Sequence, residues 1–264
     1  MIKFRSLFSS SSGNCAFISS GKTKILVDIG VYCKNIENGL CAIDEEAKDI
    51  KAIFITHEHS DHIKGAEVFS RKYDTPIYAT EETWLKMRLL SEKISGYNIK
   101  IIEKDIIEPI GDIGVRAFEI PHDAIDPVGY SFFIGEKKIT TATDVGHISG
   151  ELEMNLAGSH AVLLESNHDI SMLKSGTYPY HLKQRILSDY GHLSNDNCAR
   201  LALKLVKRGT YNLILGHLSA ENNRPDIAYN TTCNVFESAG IKVGHDVIMS
   251  VASKNFCGEE VLIS

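Results

Sequence analysis

One stretch constrains this chain more than any other. Thr56-His57-Glu58-His59-Ser60-Asp61-His62 directly follows the apolar run Ile53-Phe54-Ile55. In extended chain, residues i and i+2 project to the same side, so His57 and His59 can grip one ion together. A helix starting at Asp61 would send Asp61 and His62 to a second point close by. Three imidazoles and a carboxylate within six residues are far from random in a chain with 11 histidines among 264 residues. The set suits borderline divalent metals: Zn²⁺, with Mn²⁺ and Fe²⁺ acceptable.

The surrounding pattern mixes strands and helices. The apolar stretch Ile2 to Phe8 leads through Ser9-Ser10-Ser11-Ser12-Gly13-Asn14 to Ala16-Phe17-Ile18, which reads as two strands and a tight connection. Further strands are expected at Lys24 to Ile29, Ala52 to Thr56, Pro76 to Ala79, Ile99 to Ile102, Gly114 to Glu119 and Tyr130 to Ile134. Later ones fall at Lys138 to Thr143, Ala161 to Glu165, Asn212 to Gly216 and Val247 to Val251. Helices are expected at Asp61 to Tyr73, Glu81 to Lys93, Gly150 to Leu156, Ser194 to Lys207 and Pro225 to Ala239, with Thr80 and Ser149 standing where N-caps belong. That alternation argues α/β or α+β architecture, helices covering sheets, in a single domain over residues 1–264.

Composition removes several classes. Apolar residues are 43% and charged residues 23%, which excludes a disordered chain, a fibre and a coiled coil. The charge sum, 28 − 34 = −6, announces no strongly basic nucleic-acid binder, although a local basic groove is compatible with it. The six cysteines form no C-x-x-C pair and read as free thiols of a reducing compartment, so the expected location is the cytoplasm. No apolar run of about 18 residues suggests membrane insertion, and residues 1–12 do not read as a secretory signal.

The H-x-H-x-D-H signature resembles the metallo-β-lactamase superfamily, which implies a four-layer αβ/βα sandwich with a metal site along one edge. The resemblance extends to further motifs at strand ends: Pro121-His122-Asp123, Thr143-Asp144-Val145-Gly146, Gly216-His217-Leu218-Ser219 and the early Val27-Asp28-Ile29-Gly30. It implies that His57, His59 and His122 hold one ion, that Asp61, His62 and His217 hold a second, and that Asp144 bridges them. Two divalent ions per chain follow, Zn²⁺ or Mn²⁺, with iron possible in such a donor set. In such a site a bound metal lowers a water's pKa from 15.7 toward about 7, and a pair of ions can clamp both attacking and leaving oxygens. Asp28 reads as an outer partner that orients a histidine ligand.

Within the superfamily, His59 argues against the di-iron flavoprotein branch, which carries a carboxylate there. The segments Leu164-Glu165-Ser166-Asn167-His168-Asp169, Tyr178 to Ile186 and Gly191-His192-Leu193-Ser194-Asn195 look like the YycJ/WalJ subfamily. That group is similar to RNase Z-like phosphodiesterases without their inserted clamp domain. The resemblance implies a metal-dependent 5′-to-3′ exonuclease acting on the ends of linear duplex DNA. The residues alone reach only a dinuclear metallohydrolase of phosphodiesters. An RNA or small-molecule phosphodiesterase, a thioester or lactam hydrolase, and a metal-bound accessory protein of envelope or signalling control are the competing readings.

Asp61 and His192 are the catalytic candidates, His192 as the general acid that protonates a leaving alkoxide. His168 and His181 are placed in the groove or in support of His192; His147, His160 and His245 read as ordinary. Phosphate donors are sought in the loop from Ser11 to Asn14, Ser12 and Asn14 included, whose backbone amides suit an anion. Ser194, Asn195, Asn222 and Asn223, which follow the two Gly-His turns, are candidates at helix N-termini. Lys174, Lys183, Arg185 and Arg224 are the candidate cations for the DNA backbone. Two divalent ions would raise the net charge from −6 to about −2. The sequence leaves the oligomeric state open.

Overall fold

The computed structural model describes residues 1–88, 92–254 and 257–263. Among these, fourteen strands form two seven-stranded sheets. The first holds β1 (Ile2–Phe8), β2 (Cys15–Ser19), β3 (Lys24–Val27), β4 (Ile50–Phe54), β5 (Ile77–Ala79) and β6 (Ile99–Ile101), and β14 (Val261–Ile263) returns to close it in the order β14-β1-β2-β3-β4-β5-β6. The second runs β13-β12-β11-β10-β9-β8-β7, from β7 (Ile107–Ile110), β8 (Ile113–Glu119), β9 (Val128–Ile134) and β10 (Lys137–Ala142) to β11 (Ala161–Glu165), β12 (Asn212–Gly216) and β13 (Ile248–Val251).

The sheets share one plan. Each has three antiparallel pairings followed by three parallel ones, the change falling at β3 in the first and at β10 in the second. Alternation along each strand sends one set of side chains inward and the other outward. Val27 and Phe54 meet Tyr130, Phe132 and Ile139 between the sheets. Leu26, Ile53 and Ile55 point the other way, onto α1 (Cys33–Cys41), α3 (Ala66–Tyr73) and α4 (Glu81–Lys86) through Ile36, Phe69 and Trp84. The far face of the second sheet packs under α5 (Gly150–Leu156), α8 (Asn195–Lys207) and α9 (Pro225–Ser238), with Leu152, Leu205 and Phe236 in contact. Three stacked cores separate four layers, so the expected αβ/βα sandwich is the observed architecture.

Three expectations change. The helix expected from Asp61 to Tyr73 is two: α2 (Ser60–Ile63) and α3, broken at Gly65. A Cβ there would lie 2.3 Å from the Val31 carbonyl oxygen, so the chain must pass without a side chain. The edge strands β7 and β14, helix α1, and the short helices α6 (Ile170–Ser175) and α7 (Tyr180–Ile186) are not among the elements expected from the sequence. The helix expected from Glu81 to Lys93 is seen as Glu81–Lys86; its residues 89–91 lie outside the described residues. Thr80 and Ser149 do cap their helices, accepting from the Thr83 and Leu152 amides.

Candidate metal centre

In open sheets of this kind, ligands gather at the carboxyl ends of parallel strands. Here Asp28 follows β3, the His57–His62 loop follows β4, Asp144 follows β10, Glu165 ends β11 and His217 follows β12. His122 arrives from the loop after β8. Asp28, Asp144 and His217 all adopt positive φ, 59°, 59° and 54°, a left-handed corner that is sparsely populated outside glycine and clusters at functional sites.

The donors converge with their outward nitrogens already occupied. His62 Nδ1 donates to Asp28 Oδ2 at 2.8 Å, which leaves Nε2 facing inward, 3.2 Å from Asp144 Oδ2 and 3.5 Å from Asp61 Oδ2. Thr56 Oγ1 sits 3.0 Å from both Asp28 Oδ2 and His57 Nδ1, so the hydroxyl donates to the carboxylate and accepts from the imidazole. His57 Nε2 then faces His59 Nδ1 at 2.9 Å. Two ring nitrogens at that distance need a proton or a cation between them. His122 Nδ1 donates to the Gly191 carbonyl at 3.1 Å, and His217 Nδ1 to Glu165 Oε1 at 2.7 Å. In each case a hydroxyl, backbone or carboxylate partner fixes the tautomer and aims the other nitrogen at the centre.

Four groupings of these side chains bring ligand atoms within 4.8 Å of one another: His57, His59 and His122; Asp61, His62 and His217; His57, His62 and Asp144; and Asp144, Glu165, His192 and His217. The buried Nε2 atoms of His122 and His217 and Oδ2 of Asp144 have no hydrogen-bond partner. Imidazole lone pairs and carboxylate oxygens buried together without a donor are costly, and divalent cations at the centre resolve that cost. Burial pushes His57 and His122 below the usual imidazole range, which keeps their rings neutral and their lone pairs available. The residues present therefore fit a divalent metal site.

Glu165 is the member that the sequence reading quoted but did not assign. It is fully buried, and Oε1 accepts from both His217 Nδ1 at 2.7 Å and His192 Nδ1 at 2.8 Å. Oε2 accepts from the Val145 and Leu193 amides. Burial alone would push this carboxyl up; the His192 and His217 imidazoles outweigh it and hold Glu165 below the usual carboxylate range. The available signal was an acidic residue ending the apolar strand Ala161–Glu165, where burial demands partners. His192 itself is part-exposed, with its side chain 16% accessible and Nδ1 3.8 Å from Asp144 Oδ1.

Other expected contacts fall differently. The amides of Ser12, Gly13 and Asn14 are engaged by Ser10 Oγ, the Ser10 carbonyl and the Asp61 carbonyl, so the loop has no nest of amides open to an anion. Asn14 instead turns inward, with Nδ2 3.2 Å from His62 Nε2 and 3.4 Å from Asp61 Oδ2, while Ser12 stays exposed. Ser194 caps α8 through the Asn197 amide. Asn195 is fully buried in a network with Ser166 and Asn223 that leaves it no phosphate to meet, and Asn222 is buried beside Ser219. These groups brace the His217 loop: Asn223 Nδ2 donates to the Asn167 carbonyl, and Asn167 Nδ2 to the His217 carbonyl. His168 is buried, with both ring nitrogens lacking partners, and burial pushes it down to about 4. It joins none of the metal-capable groupings. His181 is exposed on α7. The expected cations are largely committed: Arg185 pairs with Asp123, Lys183 caps the Lys174 and Gly176 carbonyls, and Arg224 pairs with Asp226.

The sequence profile of the metallo-β-lactamase superfamily matches residues 10–217. The chain is 39% identical over 246 residues to exodeoxyribonuclease WalJ of Streptococcus pneumoniae, covering 92% of this chain and 91% of that protein. It is 37% identical over 243 residues to exodeoxyribonuclease YycJ of Bacillus anthracis, covering 92% of each. The crystal structure of YhfI from Bacillus subtilis, a metallo-β-lactamase fold protein, superposes with a TM-score of 0.71 over 98% of this chain and 99% of that one. At 16% identity that likeness speaks for the fold alone.

Proposed function

The chain belongs to the metallo-β-lactamase superfamily, and we propose that it is a metal-dependent exodeoxyribonuclease that removes nucleotides from the 5′ ends of duplex DNA. The observation that carries the reading is the near-full-length likeness to two proteins named exodeoxyribonucleases. The metal donors gathered at one sheet edge supply the chemistry such an enzyme needs. In this reading His57, His59 and His122 would hold one divalent ion and Asp61, His62 and His217 another, with Asp144 available to both. Zn²⁺ and Mn²⁺ suit the set. Bound there, the ions supply an ionised water near neutral pH and offset the charge on the phosphodiester oxygens.

The chain's own residues do the rest. Asp61 Oδ2 lies 3.6 Å from His217 Nε2, on a side chain that is 21% accessible, and would accept a hydrogen bond from the attacking water. Glu165 accepts from His192 Nδ1 and orients the ring, so that Nε2 would be the atom that gives a proton to the leaving oxygen. The Asn167–Asn195–Asn223 network keeps the His217 loop, and with it Glu165, in place. Among the described residues no helix is long and apolar enough to cross a membrane, and all six cysteines are unpaired, which supports a cytoplasmic setting for a chain that works as one domain.

The test is end-labelled linear duplex carrying a 5′-phosphate, incubated with Mn²⁺ or with EDTA, beside the Asp144→Ala variant. Metal-dependent release of labelled nucleotides from the 5′ end, lost in the variant, is the expected result. No cleavage by protein shown to carry two metals would overturn the DNA reading in favour of RNA, a small phosphodiester or a thioester.

A further inference from the structure

The recesses on the two sides of the metal centre differ in charge. On the His122 side a cleft of about 350 Å³ takes His122 into its wall and is lined by Glu119, Asp126 and Glu151. Its cation, Lys104, is held by Asp126 at 2.8 Å and Glu119 at 3.7 Å. On the His217 side two recesses of about 390 and 440 Å³ run along the serine loop and share Lys254. Among the described residues neither is lined by a carboxylate. The loop that separates them from the metal centre is tied to it directly: Ser9 Oγ accepts the His217 amide at 2.7 Å, and Asn14 reaches Asp61 and His62. Helix α1 turns Asn35, Asn38 and Gly39 toward this space, while Glu37 of the same helix turns away to Lys72 at 2.8 Å.

A nucleic-acid strand carries one negative charge per phosphate, and unscreened repulsion reaches about 8–10 Å at ordinary ionic strength. A backbone laid in the His122-side cleft would pass three carboxylates. Laid along the serine loop it meets serine side chains, the Asn35 and Asn38 carboxamides of α1 and, among the described residues, one ammonium. Resting on the nuclease reading above, we propose that the phosphate backbone of the bound DNA strand runs through the Lys254 groove, and that Lys254 neutralises one of its phosphates. Among the cations expected from the sequence, Lys183, Arg185 and Arg224 are engaged within the chain. Lys254, near the C-terminus and outside every motif, takes the role that they were assigned.

The test uses metal-loaded protein and three single-site variants, Lys254→Ala, Lys254→Arg and Lys104→Ala. Each is assayed for KM and kcat on 5′-phosphorylated duplex at several salt concentrations, and for hydrolysis of bis(p-nitrophenyl) phosphate. That small diester has no second phosphate to contact the groove. Lys254→Ala is expected to raise the KM for DNA about fivefold or more, to lower the slope of log KM against log salt by about one, and to keep kcat and the small-diester rate. Lys254→Arg restores the slope, and Lys104→Ala leaves all of these at wild-type values. A wild-type KM and slope in Lys254→Ala, or a weakened KM in Lys104→Ala alone, overturns the groove assignment while the nuclease reading stands. Wild-type protein that hydrolyses the small diester but neither binds nor cleaves DNA overturns the nuclease reading and the groove with it.

Discussion

The two sheets are built alike but equip the metal centre differently. Each turns from antiparallel to parallel pairing at one strand, β3 or β10, and each leaves that strand through an Asp-x-Gly corner: Asp28-Ile29-Gly30 and Asp144-Val145-Gly146. Both aspartates have φ 59°. Both glycines are pressed against another loop's backbone, a Cβ on Gly30 lying 1.6 Å from the Asp61 carbonyl oxygen and one on Gly146 lying 2.2 Å from that of Asp189. The corners are equivalent, yet the carboxylates are not. Asp28 is saturated by Thr56 and His62, whereas Asp144 keeps an oxygen without a hydrogen-bond partner. Burial raises the Asp28 carboxyl despite His62. For Asp144 burial pushes the same way, but the His217 and His62 imidazoles outweigh it and hold the carboxyl well below the usual range. Identical local geometry therefore makes one aspartate a brace and the other a ligand, depending on how many imidazoles the neighbouring strands deliver.

The sharpest way to break this contrast is to remove each carboxylate in turn. Asp144→Ala, which strips a donor shared by two of the groupings, is expected to lower DNA hydrolysis more than about 1,000-fold and to reduce bound metal by elemental analysis. That exceeds the 10–100-fold typical of outer partners. His192→Ala isolates proton transfer from metal holding. Its kcat should fall about 100-fold, the lower end for a lost general acid, with metal content intact; full activity removes His192 from the mechanism. Glu165→Gln joins the two effects, because one carboxylate orients both His192 and His217. About 30-fold lower activity with weaker metal retention in a chelator competition is expected, and a loss confined to kcat would show that His217 needs no such partner. Asp28→Asn should cost about tenfold in metal affinity. If it matches Asp144→Ala, the two corners do not differ in role. A separate effect falls on the whole fold: with each of two ions about 100-fold above its Kd, binding contributes about 2.7 kcal/mol per ion, so EDTA should lower Tm by roughly 10–20 °C. Calorimetry with and without chelator measures it, and an unchanged Tm would mean the site is not loaded in the folded protein.

Much of the centre was readable because its first part is contiguous. His57, His59, Asp61 and His62 lie within one turn of chain after an apolar strand, so spacing alone predicts that they meet. The strands themselves follow from alternation, and the caps at Thr80 and Ser149 from local chemistry. The donors of the second sheet come from different strand ends, and only resemblance placed them together. Glu165 escaped assignment because its partners lie 27 and 52 residues away. The phosphate donors expected at Asn195 and in the serine loop failed for a related reason. A polar residue at a loop advertises hydrogen-bonding capacity, but whether it faces solvent or a neighbouring loop depends on packing.

The sequence by itself determined the alternation of strands and helices, the histidine-rich loop after β4, and the Asp-x-Gly corners that only a left-handed turn and a missing side chain allow. Tertiary structure decided which aspartate faces the centre, that Glu165 holds two imidazoles at once, that Arg185 and Lys183 are tied within the chain, and that two recesses without a carboxylate among the described residues share Lys254. Backbone propensity and periodicity act over a few residues and are written into neighbouring letters. The orientation of a buried polar group is settled by partners tens of residues distant, and it appears only when the two sheets close on each other.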